Sequence, residues 1–319
     1  MIEVLTTGAP NSIQDLGRFG HLDIGVSHCG AMDRPALALG NALLGNATSD
    51  AGLEVVMFPF KLRFQERCRF ALTGADCGAT IAGCPIPPNW VSTAHAGQTL
   101  VLERPLKGAR AYLSFEGGVD VPPLMGSRST DLKCAFGGLE GRGLRRGDRL
   151  SLGSRPTVIG VSGFGAIPGY LSANEGDVSL RVLRAAEHDF FTKDSLKSFY
   201  ATAWELTQEA NRMGYRLSGI GLSLKHPVEL FSHGILSGTV QVPPSGQPII
   251  QMADANTCGG YPKIATVIEA DLWRLAQSPS GTKFRFVETD HLEAIEAMRK
   301  IEQQLEEVRI ASRRLSFKS

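Results

Sequence analysis

Gly117-Gly-Val-Asp-Val-Pro-Pro123 returns 121 residues later as Gly238-Thr-Val-Gln-Val-Pro-Pro244, with five of the seven residues identical. Valine at alternate places favours an extended backbone, because successive strand side chains point to opposite faces. Glycine before the run and two prolines after it bound the strand and turn the chain. Two β units of this spacing nearly fill 319 residues and leave one C-terminal segment over. The echo has two explanations: an internal duplication, or two separate strand exits with the same turn chemistry. Both predict a chain built mainly of short strands.

The rest of the chain agrees. Thr99-Leu-Val-Leu102 and Lys283-Phe-Arg-Phe-Val287 are β-branched or aromatic runs bounded by turn residues, and 228–230 reads the same way. With 36 glycines, tight turns are frequent. Three helices interrupt the strands. The first covers 34–44, with Asp33 as N-cap and Gly45 as stop. The second covers about 194–206. The third covers about 290–315, where Leu292, Ile295, Met298, Ile301, Leu305 and Val308 recur every three or four residues. Its apolar stripe has two possible partners, this chain's own β units or another polypeptide. The expected division is an N-terminal β domain at 1–155, a Gly/Pro-rich linker at 156–178, a C-terminal β domain at 179–288, and an amphipathic helix and tail at 289–319.

Charge and cysteine usage exclude several classes. Lys plus Arg is 33 and Asp plus Glu is 32, a net charge of +1. Such a balance argues against a nucleic-acid partner. No apolar run is long enough for a membrane span, and no secretory signal opens the chain, so a cytoplasmic location is expected. Six cysteines and seven histidines show no zinc spacing, and no metal site is expected. The phosphate loop GxxxxGK[ST], GxGxxG and HExxH are absent. No Met-Lys pair occurs, so no covalently attached biotin is expected.

What remains is a set of glycine-rich segments that carry charge. Adjacent glycines let backbone N–H groups approach an anion. Gly259-Gly260, with Tyr261 and Lys263 beyond, is either such a cradle or a plain turn. Gly126-Ser127-Arg128-Ser129-Thr130 is either an anion cradle clamped by Arg128 or a polar loop. Asp33 is either an N-cap or a catalytic acid, and Asp254 beside the glycine pair is a candidate proton carrier.

These residues, with Ile13-Gln-Asp-Leu-Gly-Arg18, Gly30-Ala-Met-Asp-Arg34, Leu72-Thr-Gly-Ala-Asp76, Arg212-Met-Gly-Tyr-Arg-Leu217, Gly246-Gln-Pro-Ile249 and Gly259-Gly-Tyr-Pro-Lys-Ile-Ala-Thr266, give the chain a family resemblance. It resembles the family of 5-oxoprolinase C subunits, also described as KipA-like, allophanate hydrolase subunit 2 or biotin-dependent carboxyltransferase. The motifs run in family order from about residue 5 to about 287. The resemblance implies a mainly β fold with flanking helices: tandem cyclophilin-like β-barrels plus a C-terminal helix.

It further implies one component of an enzyme complex, inactive alone. With a KipI-like 5-oxoprolinase B subunit and a third, A-type 5-oxoprolinase component, it would open 5-oxo-L-proline, a small amide, to L-glutamate. The complex would use ATP with magnesium, a nucleotide this chain alone need not bind. One alternative is the carboxyltransferase component of a biotin-dependent, urea carboxylase-like system. Another is a non-catalytic regulator that binds a KipI-like partner. Either chemistry needs cations near developing negative charge and a base near the attacking group. On that basis Lys263, Asp254 and Asp33 are the expected catalytic residues. Arg128, Ser127, Ser129, Thr130, Arg212, Tyr215, Arg216, Gly259, Gly260 and Tyr261 are the expected substrate or phosphate contacts. Two positions depart from the family pattern: Cys29 stands where serine is common, and Cys258 where threonine is. Both remove a hydroxyl, which points to a different substrate or to a paralogue if that hydroxyl binds substrate.

Overall fold

In a computed structural model the described residues are 1–154, 160–171 and 177–316. The chain is mostly β, with four α-helices among the described residues: α1 (Arg34–Leu44), α2 (Lys193–Ala201), α3 (Leu272–Ala276) and α4 (His291–Ser316). It divides into two compact units. One comprises Met1–Arg18, Cys29–Leu171 and Glu302–Ser319; the other comprises Phe19–His28 and Ser172–Ile301. The boundaries expected from sequence differ from these. The short strand Phe164–Gly165, expected in the linker, is a sheet strand of the first unit, paired with Trp90–Ala94. Residues 156–159 and 172–176 of that linker, and 317–319 of the tail, lie outside the described residues.

The first unit holds two six-stranded sheets. Strand Phe60–Phe64 lies central in one, between Ile2–Thr6 and Thr99–Leu102. Strands Cys68–Asp76 and Lys107–Phe115 lie central in the other. Alternation builds the core: Phe60, Leu62 and Phe64 point inward while Lys61 and Arg63 do not, and they meet Ile2, Phe70, Leu113 and Phe115. Helix α1 starts where Asp33 Oδ1 accepts from the Ala36 N–H and ends at the left-handed Gly45. It sits close to the sheet because Gly40 has no side chain; a Cβ there would lie 2.5 Å from Ser114 Oγ. Leu39, Leu43 and Leu44 of α1 form a cluster with Ala71 and Val91, and Leu305 and Val308 of α4 pack against it. Arg309 secures that contact by donating to Asn46 O and Thr48 Oγ1. The apolar stripe of α4 therefore has its partner, at Leu305 and Val308, in its own chain.

The second unit is a closed barrel of seven strands. Its order is Val178–Arg184, Lys263–Val267, Thr239–Gln241, Ile249–Gln251, Gly214–Ser218, Trp204–Leu206 and Lys283–Glu288. Closure is parallel, with Val178 opposite Phe284, while the other pairs are antiparallel. Helix α2 covers it with Phe199 stacked on Phe286, ring centroids 4.4 Å apart. It stops at Ala201, short of the expected 206, because Trp204 and Leu206 are buried on either side of exposed Glu205; period two wins over helix. Residues 228–230, led by Pro227, form no strand.

The sequence echo has a structural counterpart. Gly117 and Gly238 both have positive φ, +84° and +90°. A Cβ on either would strike a carbonyl, Gly153 O at 2.6 Å or Val267 O at 2.5 Å. The valines that follow, Val119 and Val121 in one copy and Val240 and Val242 in the other, are all buried.

Candidate functional site

Strand Cys258–Gly259 pairs with His233–Gly234, in a two-stranded ribbon separate from the barrel ladder. The chain then runs through Gly260, half-exposed Tyr261 and Pro262 into the barrel strand that begins at Lys263. Lys263 is 6% exposed. Its backbone N–H donates to Glu187 Oε2 at 3.0 Å, and its Nζ hydrogen-bonds His233 Nε2. His233 Nε2 also lies 3.5 Å from Glu187 Oε1. The other ring nitrogen, Nδ1, lies 3.0 Å from Phe231 O. A carbonyl only accepts, so the neutral ring carries its proton on Nδ1 and offers Nε2 as acceptor to the amine. Burial lowers the Lys263 pKa from its ordinary value, and the Glu187 carboxylate partly restores it. An amine, an imidazole and a carboxylate thus converge with hydrogen-bond geometry that moves protons.

The glycine pair belongs to this place because of close approach. A Cβ at Gly260 would lie 2.8 Å from Leu230 O, and one at Gly259 would lie 2.6 Å from Ile235 Cδ1. Gly259, Gly260, Tyr261 and Lys263 are therefore brought together, and the structure adds Glu187 and His233. Neither had a sequence signal of its own: His233 is one of seven scattered histidines, and Glu187 precedes a short 3-10 turn.

Other expected site residues stand elsewhere. Arg212 grips Asp254 through both oxygens, Nε to Oδ2 and Nη2 to Oδ1, each at 2.8 Å. Both side chains are buried. This is the geometry of a structural ion pair, in which the Asp254 carboxylate is engaged by a cation that cannot give up its proton. Tyr215 and Arg216 are neighbours on one strand and so face opposite ways: Tyr215 is buried, and Arg216 is exposed with its Nε 3.4 Å from Glu209. The two expected contacts therefore do not share a face of the strand.

In the first unit, the Gly126–Thr130 loop is a cradle whose anion is the chain's own Asp15. Ser127 Oγ and Ser129 Oγ donate to Asp15 Oδ1 at 2.6 and 2.5 Å, and the Arg128 N–H donates to Oδ2. Thr130 Oγ1 donates to Ile13 O, and Arg128 Nε to Val121 O. The hydroxyls expected to meet phosphate or substrate point into the fold. Arg18, fully buried, donates to the Leu124 and Ser129 carbonyls and lies over the Phe136 ring, fastening the same loop. Asp33 is the N-cap of α1, and its own N–H donates to Tyr112 Oη, which donates to Glu54. Asp33→Ala is expected to cost about 1 kcal/mol by loss of the cap, read as a lower midpoint in thermal unfolding, with Asp33→Asn close to wild type. Of the two departures, Cys29 is buried with φ +51°, and Cys258 is exposed on the ribbon that carries His233. Among the described residues no group of three or more His, Cys, Asp or Glu could hold a metal ion, and no helix is long and apolar enough to cross a membrane.

Residues 24–288 match the family described as carboxyltransferase domain, subdomain A and B. The chain is 44% identical over 298 residues to the 5-oxoprolinase C subunit of Escherichia coli, covering 93% of this chain and 94% of that protein. It is 42% identical over 309 residues to the 5-oxoprolinase C subunit of Haemophilus influenzae, covering 97% and 98%. Among solved structures, the urea amidolyase of K. lactis superposes with a TM-score of 0.88 at 29% identity, over 96% of this chain and 20% of that one.

Proposed function

The chain belongs to the carboxyltransferase subdomain A and B family, and from that premise we propose that it is the C subunit of an ATP-dependent 5-oxoprolinase, working with a KipI-like B subunit and a third, A-type component. The reaction joins 5-oxo-L-proline, ATP and two waters to give L-glutamate, ADP and phosphate. A water oxygen bonds to the lactam carbonyl carbon, the ring C–N bond breaks, and the nitrogen leaves with a proton. Such a step needs a group that takes a proton from water and a cation near the carbonyl oxygen. The observation that carries the proposal is the Lys263–His233–Glu187 cluster: His233 Nε2 is an acceptor in contact with a desolvated amine, and Glu187 steadies the positive charge that results. Similarity to two C subunits over almost the full length of each supports the same reading.

The residues expected at phosphate do not fit the nucleotide, because Ser127, Ser129 and the Arg128 N–H are committed to Asp15. ATP with its magnesium is therefore expected on a partner polypeptide of the complex.

The test is co-purification with both partner polypeptides and an assay of glutamate released from 5-oxo-L-proline and ATP. Lys263→Ala is expected to lower turnover at least about tenfold with the complex intact by size-exclusion chromatography. Unchanged turnover would remove Lys263 from the chemistry, and an inactive wild-type complex would overturn the reading. The likeness to urea amidolyase and the family's description favour a second reading, carboxyl transfer from a biotin carrier on another chain to a small amide. Carrier-dependent carboxylation of urea by the same preparation distinguishes it. Assembly with the KipI-like protein and silence in both assays would leave the regulatory binder.

A further inference from the structure

Gln241 is a barrel residue 4% exposed. Its Oε1 accepts from Gln251 Nε2 at 2.9 Å, which fixes the amide's orientation. Its Nε2, fully buried, has no hydrogen-bond partner. A buried donor left unmade is costly, so a fold keeps one only where something compensates. Its surroundings point to a ligand. Gln241 lies directly across the ladder from Lys263, at the place where the register slips between Val240 and Gln241. A bulge of this kind re-aims side chains. Over Nε2 lies Gly259, where a Cβ would come within 2.9 Å of it. Gly259 belongs to the ribbon with His233, which consists of two two-residue strands and has an exposed apolar approach: Phe231 is 96% exposed and Leu236 58%.

We propose that Gln241 Nε2 is the donor for a planar carbonyl or carboxylate oxygen of a small ligand, reached when the Gly259–His233 ribbon lifts, so that the ligand supplies the missing acceptor beside Lys263. The backbone of Gly259 closes over the amide without touching it with a side chain, and the ligand oxygen takes the place the ribbon occupies. The inference rests on the 5-oxoprolinase reading only for the choice of the first probe.

The test uses the full chain, isotopically labelled, and follows the Gln241 side-chain NH2 resonances, identified by their loss in Gln241→Met. Three probes are titrated: 5-oxo-L-proline, acetate, which carries only the carboxylate, and 2-pyrrolidinone, which carries only the lactam carbonyl. The expected result is a saturable shift of that resonance pair, with at least about tenfold weaker binding in Gln241→Met, a variant that loses the orphaned donor together with the acceptor for Gln251 Nε2. A shift with acetate or 2-pyrrolidinone but not with 5-oxo-L-proline supports the donor and overturns the substrate assignment. Absence of any shift with all three probes, or undiminished binding by Gln241→Met, overturns the proposal.

Discussion

Replacing Asp254 by alanine is expected to lower the thermal midpoint of the chain by roughly 10 °C. Arg212 and Asp254 are both buried and joined by two parallel hydrogen bonds of 2.8 Å. Removing the carboxylate strands a guanidinium away from water, and breaking such a pair costs about 3–5 kcal/mol. A kilocalorie moves the midpoint of a unit of this size by about 2–4 °C. Asp254→Asn keeps one acceptor oxygen for Arg212 and is expected to lose less. Calorimetry on both variants, with turnover of the assembled complex beside it, separates the two roles open to this residue. A midpoint equal to wild type with turnover abolished would restore Asp254 as the proton carrier. A lower midpoint with turnover retained in the folded fraction confirms the strut.

Asp15→Ala is expected to be as damaging, by about 3–5 kcal/mol, for a different physical reason. The Asp15 carboxylate takes donors from the Gly17 N–H, Ser127, the Arg128 N–H and Ser129. Alanine leaves several buried donors facing a void, and each unsatisfied group costs about 1–3 kcal/mol. Ser127→Ala and Ser129→Ala remove one donor each and are expected to cost about 1 kcal/mol. Urea unfolding reads the difference, and limited proteolysis is expected to cut Asp15→Ala within 124–130. Resistance equal to wild type would mean that the loop is held by Arg18 alone.

Most of the architecture follows from local chemistry that a single sequence displays. Asp33 sits one residue before an apolar helical run, so its cap can be read in place, and Gly45 marks the other end. Alternation in Phe60-Lys-Leu-Arg-Phe64 announces a strand whatever lies beside it. The cluster around Lys263 is different in kind. Glu187 follows one barrel strand, His233 sits on a ribbon, and Lys263 opens another strand; only closure of the barrel makes them neighbours. Gln241 did leave a trace, as a polar residue between two valines where the first copy of the motif has exposed Asp120. The two positions share a pattern and differ in burial, which pattern alone does not reveal. The Gly126–Thr130 loop shows the reverse difficulty. Its composition allows an anion cradle or a polar loop, and nothing nearby says that its donors are taken by Asp15, more than a hundred residues earlier.

The division of the polypeptide carries a practical consequence. The backbone passes from one unit to the other at 18/19, 28/29, 171/172 and 301/302, four times in all. Truncating the gene at any single codon therefore yields two incomplete pieces: a fragment of 172–301 lacks residues 19–28, and one ending at 171 lacks the last turns of α4. Domains bounded by a single linker can be swapped or fused freely. This one would have to be inherited, expressed and engineered whole.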